Sequence, residues 1–463
     1  MDLNRKNVLV VGLGMTGLAT ARFLHHRGAV VTVTDMAAEE NLVSSVLELH
    51  QLGIRTELGG HCRESFGSSD LIVLSPGVPH THDFLMEAGR KGIPVIGEIE
   101  LASRFIRDPI IAITGTNGKT TTTSLLGNML AACGMRVFVG GNIGNPLIGY
   151  VDRDEKADWV VLEVSSFQLD TIDTFRPDIG ILLNITADHL DRYADMAGYA
   201  ASKGRIFQNQ TLEDIAILNG ADPWVLSEAG RIRSRKWVFN GSSTLEEGAR
   251  LNGNELTLAF TSCPSLRAVF PCAQTALGSA RLDLGESRLY GKHNQENICA
   301  AVMAAIAAGG DVRNIQSALN QFKGLSHRIE FVRTVNGITY VDDSKATNVD
   351  AVYRALESFQ EPVILIMGGR DKGGDYGILE KAMQNHVKLL ILLGEASELI
   401  AAALGNLVPT VRVSSMQAAV TNAHQAATSG DVVLLSPACS SFDMFRSYAH
   451  RGDVFQGEVN KLR

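Results

Sequence analysis

Short apolar runs alternate with helix-length segments along almost the whole chain, the pattern that builds parallel sheets joined by crossover helices. "NVLVVGLG" (7–14), "AVVTVTD" (29–35) and "DLIVLSPGV" (70–78) read as buried strands of a first unit. "EIELASRFIRDP" (98–109) reads as a helix and linker into a second, which holds "IIAITG" (110–115), "WVVLEVSS" (159–166), "IGILLNIT" (179–186) and "IAILNG" (215–220). A third α/β unit follows "GLSHRIEF" (324–331), with strands in "GITYVDDS", "PVILIMGG", "VKLLILLG" and "DVVLLSP". At 463 residues the chain exceeds what one hydrophobic core supports, so about three domains are expected. The polar, glycine-rich stretch 240–290 is expected to hold short strands and loops, and no role is assigned to it.

The formal charge of −8 argues against a general nucleic-acid binder, which needs clustered Lys and Arg. Any anionic substrate must be met by local cations and backbone amides. Cys62, Cys133, Cys263, Cys272, Cys299 and Cys439 are scattered without a C-x-x-C pair, as expected of reduced thiols in a cytoplasm. The first residues run straight into a strand with no signal-peptide pattern, and no segment has the ~18–20 uninterrupted apolar residues of a spanning helix. A soluble, cytoplasmic, multidomain protein without membrane insertion is expected.

The segment "IAITGTNGKTTTTSLL" (110–125) places a glycine turn between a strand and a helix. It is shorter than the common P-loop, because Ile113 stands where the first glycine is usual. Backbone N–H groups of Gly115, Thr116, Asn117 and Gly118 and the following helix N-terminus would face an anion. Lys119 would reach the outer phosphates and Thr120 a Mg²⁺ ion, with Thr121 and Thr122 behind them. The bland alternative is a βα turn that happens to contain Gly-Lys-Thr.

Gly12-x-Gly14-x-x-Gly17 followed by Asp35 spells a dinucleotide fingerprint. A chain with an ATP loop need not also bind NAD, and another nucleotide-bearing substrate or a structural turn would use the same residues. Glu163 and His189 follow apolar strands, where α/β sites collect, although such residues are more often surface groups. Lys203, in "AASKGRIF", reads locally as a solvated helix lysine. In the third unit "YVDDSKATN", "GGRDKGGD" and "SPACSSFDMF" each follow a strand and bring Lys345, Thr347, Lys372, Ser440 and Ser441 to one edge. Cations and hydroxyls gathered there suit a small carboxylate-bearing substrate. Asp342, Ser344 and Ser441 also suit helix starts.

Taken together, these residues resemble the Mur ligase family, which builds the peptide of bacterial cell-wall precursors. "TGTNGKTT" is similar to its ATP loop, and "GNIGNPL", "EVSSFQL", "DHLDRY", "KHNQEN" and "SHRIE" extend the resemblance over the whole chain. "DDSKATN" and "SPACSSFDMF" look most like the D-glutamate-adding member, and "DDSKATN" argues against other members and against folylpolyglutamate synthases. The resemblance implies an α/β fold of three domains. Residues 1–98 would form a Rossmann-like UDP-sugar-binding domain, 99–324 a central P-loop ATPase-like domain, and 325–463 a C-terminal Rossmann-like domain for the amino acid.

It further implies that Met15, Thr16, Thr34, Asp35 and Gly77 lie near the UDP-sugar, and that Asn142, Ser165, Gln168 and His189 line the path of its lactoyl-alanyl arm. Thr120, Glu163, His189 and Lys203, the last as a CO2-derived carbamate, would hold Mg²⁺, with two metal sites expected. Asn294, Arg328 and Asp343 would face ATP. Lys345, Thr347, Lys372, Ser441 and Tyr448 would hold D-glutamate. The implied reaction activates the carboxylate of UDP-N-acetylmuramoyl-L-alanine as an acyl phosphate, lets the glutamate amine attack it, and releases ADP and phosphate. Lys119, Glu163, His189 and Lys203 would be catalytic. His189 and Asp343 both remain open as the base, hinge closure would assemble the site, and a monomer is expected.

Overall fold

The structure is a computed structural model that describes residues 1–462 apart from His80, Asp154, Glu155, 189–191, 241–247, 260–278, Arg288 and Tyr290. It divides into two compact units. One comprises Met1–Ile185, His189–Gly285 and Asn297–Leu319, and the other Thr186–Asp188, Glu286–Glu296 and Asn320–Arg463.

The first unit contains two sheets. The N-terminal one is parallel, ordered Arg55–Leu58, Val30–Asp35, Asn7–Val11, Leu71–Leu74, Val95–Gly97. The other runs Ser279–Asp283, Glu255–Ala259, Gly248–Asn252, Arg235–Phe239, Ile215–Asn219, Ile179–Leu182, Ile110–Thr114, Trp159–Glu163, Val137–Gly141. Its central strands are parallel and buried on both faces, which explains their unbroken Ile, Val and Leu. The weakly patterned stretch supplies its last three strands, antiparallel to one another and alternating buried with exposed residues as Glu255–Ala259 does.

One apolar cluster runs from Val8 and Val33 through Leu101 and Leu147 to Leu162 and Val238, so the two sheets share a core. The helix Glu98–Ser103 lies at their junction and buries two glutamates. Glu100 accepts hydrogen bonds from the backbone N–H groups of Asp173, Thr174 and Phe175 at 2.9–3.0 Å and from Arg104 Nε at 2.7 Å. Glu98, 2% exposed, accepts from Ile148 N at 2.6 Å at the start of the helix Leu147–Asp152.

Burial pushes the Glu98 pKa from 4.5 to about 7, against the Ile148 and Leu147 N–H groups that favour the anion. The folded pKa lies above the unfolded one, so the stabilisation is present below 4.5 and lost as pH rises through 7. Glu98→Gln keeps an acceptor without the charge. Its stability relative to the wild type should therefore rise by about 3 kcal/mol between acid and alkaline pH. Urea unfolding at both ends of that range measures it, and a difference independent of pH would contradict it.

The second unit holds a sheet ordered Glu330–Val335, Ile338–Asp342, Val432–Leu435, Val363–Gly368, Val387–Leu393, Thr410–Arg412, with its first pair antiparallel and the rest parallel. Apolar clusters cover both faces, one with Val352 and Leu356 of the helix Val349–Leu356, the other with Phe455 and Val459 of Tyr448–Asn460. This places the loops after Asp342, Gly368 and Leu435 at the carboxyl edge of adjacent strands, where α/β folds bind ligands.

Candidate active site

The glycine turn after Ile110–Thr114 leads into the helix Lys119–Ala132, whose N-cap Gly118 has φ +86°, the left-handed region that favours glycine. Asn184 fixes the turn: its carbonyl accepts from Thr116 N, its side-chain oxygen from Asn117 N at 2.9 Å, and its amide donates to Asn117 O at 3.0 Å. Lys119 Nζ donates to Gly115 O and Thr116 O, both at 2.7 Å. Thr120, Thr121 and Thr122 are buried in the first helical turn.

Two further groups converge here. Lys203 Nζ also donates to Gly115 O, at 2.9 Å, and lies 4.6 Å over the Tyr199 ring. At 1% exposure it is not the solvated lysine its local sequence suggests, because the helix Met196–Gly204 packs this face inward. Glu163, 3% exposed, ends the neighbouring strand. Its Oε1 accepts from Asn142 Nδ2 at 2.9 Å, while Oε2 is buried without a hydrogen-bond partner among the described residues. A buried carboxylate oxygen left unsatisfied costs on the order of 1–3 kcal/mol or more, which a bound cation would offset. The donor set thus fits a nucleotide phosphate with a divalent ion. His189 lies outside the described residues.

A second site opens at the N-terminal sheet. A cavity of about 600 Å³ is bounded by Gly12, Met15, Thr16, Asp35, Gly77 and Asn142 among others. Gly17 closes the turn: a Cβ there would strike the carbonyl oxygen of Gly12, so no other residue fits. Asp35 holds the turn through both oxygens, accepting from Leu13 N at 2.6 Å and Ala37 N at 2.7 Å. The lining contains no Lys or Arg among the described residues, although Arg192 Nη2 donates to Gly77 O at 3.5 Å, so an anion there meets backbone N–H groups, the N-terminus of Met15–His26 and the His61 and His82 rings.

Thr34 is fully buried and hydrogen-bonds His61 Nδ1 at 2.8 Å. Ser165 and Gln168 form a capping box on the short helix Ser166–Leu169, and Gln168 borders a separate small cleft with Ser75, Pro76 and Glu98.

The third constellation lies within the second unit. Lys345 Nζ sits 5.0 Å over the Tyr448 ring. Ser441 is buried, Thr347 half-buried, and Lys372 exposed. The Lys372 loop is held by Tyr376, whose hydroxyl donates to Asp371 Oδ1 at 2.7 Å, and by paired backbone bonds between Arg370 and Ser440. Asp343 is buried, accepts from Ser436 Oγ at 2.9 Å and Ile329 N at 3.2 Å, and is pushed up to about 7 by burial, with Arg328 opposing. Asn294 is buried in the helix Lys292–Ala307.

The helix-start readings of Asp342, Ser344 and Ser441 are corrected here. Asp342 accepts from Ser344 N and bonds His327, and Ser344 Oγ donates to Tyr448 O, while Asn348 and Ser447 cap the helices that follow. The cap falls to the last polar residue before each helix, several positions later than a local pattern suggests.

Residues 6–97 match the family described as Mur ligase MurD-like N-terminal domain, 113–305 the Mur ligase middle domain, and 327–439 the Mur ligase glutamate ligase domain. A curated UDP-N-acetylmuramoylalanine–D-glutamate ligase of Desulfosudis oleivorans is 51% identical over 465 aligned positions, spanning 100% of this chain and 98% of the relative. The chain belongs to the Mur ligase family. Solved Mur ligase-like structures share the fold. A pseudomurein peptide ligase type C from Methanothermus fervidus superposes with a TM-score of 0.62 at 19% identity, covering 99% of this chain and 100% of that one. MurF ligase from Thermotoga maritima, solved with ADP, gives 0.60 at 17% identity over 99% of both chains. The architecture is the three-domain one of Mur ligases, Rossmann-like at either end of a central ATP-binding domain.

Asn184, His61, His82 and Arg451 were not anticipated from the sequence. His61 and His82 line the 600 Å³ cavity with rings 5.4 Å apart, and burial, then the neighbouring His82, lowers the His61 pKa. Asn184, in "NIT" after a strand, had a local signal. Arg451 had none.

Proposed function

We propose that this chain joins D-glutamate to UDP-N-acetylmuramoyl-L-alanine through an amide bond at the expense of ATP, releasing ADP and phosphate, in the cytoplasmic synthesis of peptidoglycan precursors. The observation that carries this reading is identity over the whole length to ligases of that name, joined to a second unit with cations and hydroxyls on three adjacent loops. Residues 1–98 bind the UDP-sugar, with the diphosphate at the glycine turn and the N-terminus of Met15–His26. Residues 99–324 bind ATP, and 325–463 the amino acid, in a chain acting as a monomer. No helix among the described residues is long and apolar enough to cross a membrane.

A carboxylate is a poor electrophile, so phosphoryl transfer from ATP first makes the alanyl carboxylate an acyl phosphate. The Lys119 ammonium moves from the loop carbonyls to the transferring phosphoryl oxygens. Thr120, Glu163, His189 and the Lys203 carbamate would hold Mg²⁺, whose charge would offset that on the phosphates. The Lys203 ammonium first gives up a proton, and the free amine then adds to CO2 and loses a second, which turns a buried cation into an anion. The glutamate amine then attacks the acyl carbon and phosphate leaves. Asp343, raised toward neutrality by burial, is suited to take the amine proton, and His189 is the alternative base only where it does not ligate Mg²⁺.

Lys345, Thr347, Lys372, Ser441 and Tyr448 hold the amino acid. A charge-assisted hydrogen bond contributes about 1.5–3 kcal/mol, so Lys372→Ala should raise the KM for D-glutamate by roughly tenfold to a hundredfold. The KM values for ATP and the UDP-sugar should stay near the wild type. Steady-state kinetics with D-glutamate, L-glutamate, D-aspartate and diaminopimelate tests both points. An unchanged glutamate KM in the variant would remove Lys372 from the pocket. A wild type that prefers another amino acid would overturn the reaction.

A further inference from the structure

Arg451, in the helix Tyr448–Asn460, is 1% exposed. A guanidinium has five N–H donors and accepts nothing, so its acceptors define what it does. Nε donates to Ser344 Oγ at 3.0 Å, and Nη2 to Ser344 O at 2.8 Å and Cys439 O at 3.1 Å. Nη1 donates to Gly368 O at 3.3 Å and Ser440 O at 3.4 Å. The acceptors are a hydroxyl and four carbonyls, all neutral, and they belong to three strand-end loops.

Those loops carry the amino-acid mouth. Ser344 precedes Lys345, Gly368 ends the strand that leads to Lys372, and Ser440 precedes Ser441. Arg451 itself stands one helical turn after Tyr448, whose ring lies beneath the Lys345 ammonium. Ser344 Oγ passes the contact on by donating to Tyr448 O at 2.8 Å. Burial lowers the Arg451 pKa to about 10, so it remains charged at neutral pH. A charge of this kind would be wasteful in a core built only for stability, where apolar packing serves as well or better.

We propose that Arg451 is a positioning residue for the amino-acid substrate: it sets the spacing of Lys345, Lys372, Ser441 and Tyr448 by tying their loops together through backbone carbonyls. The inference rests on the glutamate reading of the second unit. Lysine cannot substitute, because one nitrogen with three donors does not span acceptors on three loops. The substrate recognises the result without touching the guanidinium.

The test compares wild type, Arg451→Lys, Arg451→Ala and the milder Ser344→Ala in the full-length enzyme. In both Arg451 variants the KM for D-glutamate should rise at least about tenfold, while kcat at saturating glutamate falls less than about threefold. The KM values for ATP and the UDP-sugar should stay within about twofold, which a general loss of structure would not allow. Millimolar guanidinium should restore part of the glutamate affinity of Arg451→Ala and none of that of Lys372→Ala. If the Arg451 variants do not fold, Ser344→Ala should show the same split at about threefold.

A glutamate KM unchanged in Arg451→Lys, or all three KM values rising together, would overturn the proposal. A wild type that ligates a different amino acid overturns the reaction reading instead, and the same comparison on that amino acid then decides the role of Arg451.

Discussion

Lys119→Ala is expected to lower kcat by at least about a hundredfold while leaving the protein folded. The ammonium stands at the N-terminus of a helix with loop carbonyls of Gly115 and Thr116 as partners. Those carbonyls are weak partners compared with a phosphate bearing a full charge, so the side chain moves to ATP when ATP is present. In the transition state negative charge spreads over the transferring phosphoryl oxygens, and a fixed cation there stabilises it more than it stabilises bound ATP. ATP affinity should therefore fall less than kcat. Neither contact ties the loop to another element, since Asn184 does that, so thermal stability should change little. ADP release under saturating substrates measures the effect, and a kcat within about tenfold of wild type would deny Lys119 this role.

Lys203→Ala should be nearly inactive, down about a thousandfold or more, for a different electrostatic reason. Lys203 and Lys119 both direct their ammonium groups at the carbonyl of Gly115, and Lys203 is almost completely buried. Two like charges at one acceptor raise each other's cost, and conversion of one to a carbamate replaces repulsion with attraction. A carbamate would also add negative charge for a divalent cation held by Glu163, whose Oε2 is buried without a hydrogen-bond partner among the described residues. Native mass spectrometry of the active enzyme should show the mass of one added CO2 on Lys203, and activity should fall in CO2-depleted buffer and return with bicarbonate. A fully active preparation with unmodified Lys203 would refute the carbamate.

The alternation of apolar runs revealed the central strands of all three sheets, because those strands are buried on both faces and leave no room for polar residues. The edge strands Arg55–Leu58, Glu330–Val335 and Thr410–Arg412 escaped, since one side faces water and admits Arg, Glu and Thr. Local motifs exposed the phosphate turn and the glycine turn, whose chemistry is written within a few consecutive residues. Asp35 lines the cavity at the glycine turn, as its place at the end of a strand suggested, but its bonds to Leu13 N and Ala37 N show that it also builds the turn, a task that depends on strand pairing. Lys203 misled locally, because burial is decided by what packs on a helix and not by its neighbours in sequence. Arg451 was invisible for the same reason: its acceptors are up to 107 positions away and are nearly all backbone atoms, which have no residue-type signature.

The central claim is an ATP-driven amide ligation that needs both organic substrates at once. The most direct measurement incubates the wild-type enzyme with ATP, Mg²⁺, UDP-N-acetylmuramoyl-L-alanine and D-glutamate, and quantifies amide, ADP and phosphate together. All three are expected in equal amounts, and none when either organic substrate is left out. AMP and pyrophosphate as products, ATP hydrolysis without amide, or turnover of NAD would contradict it.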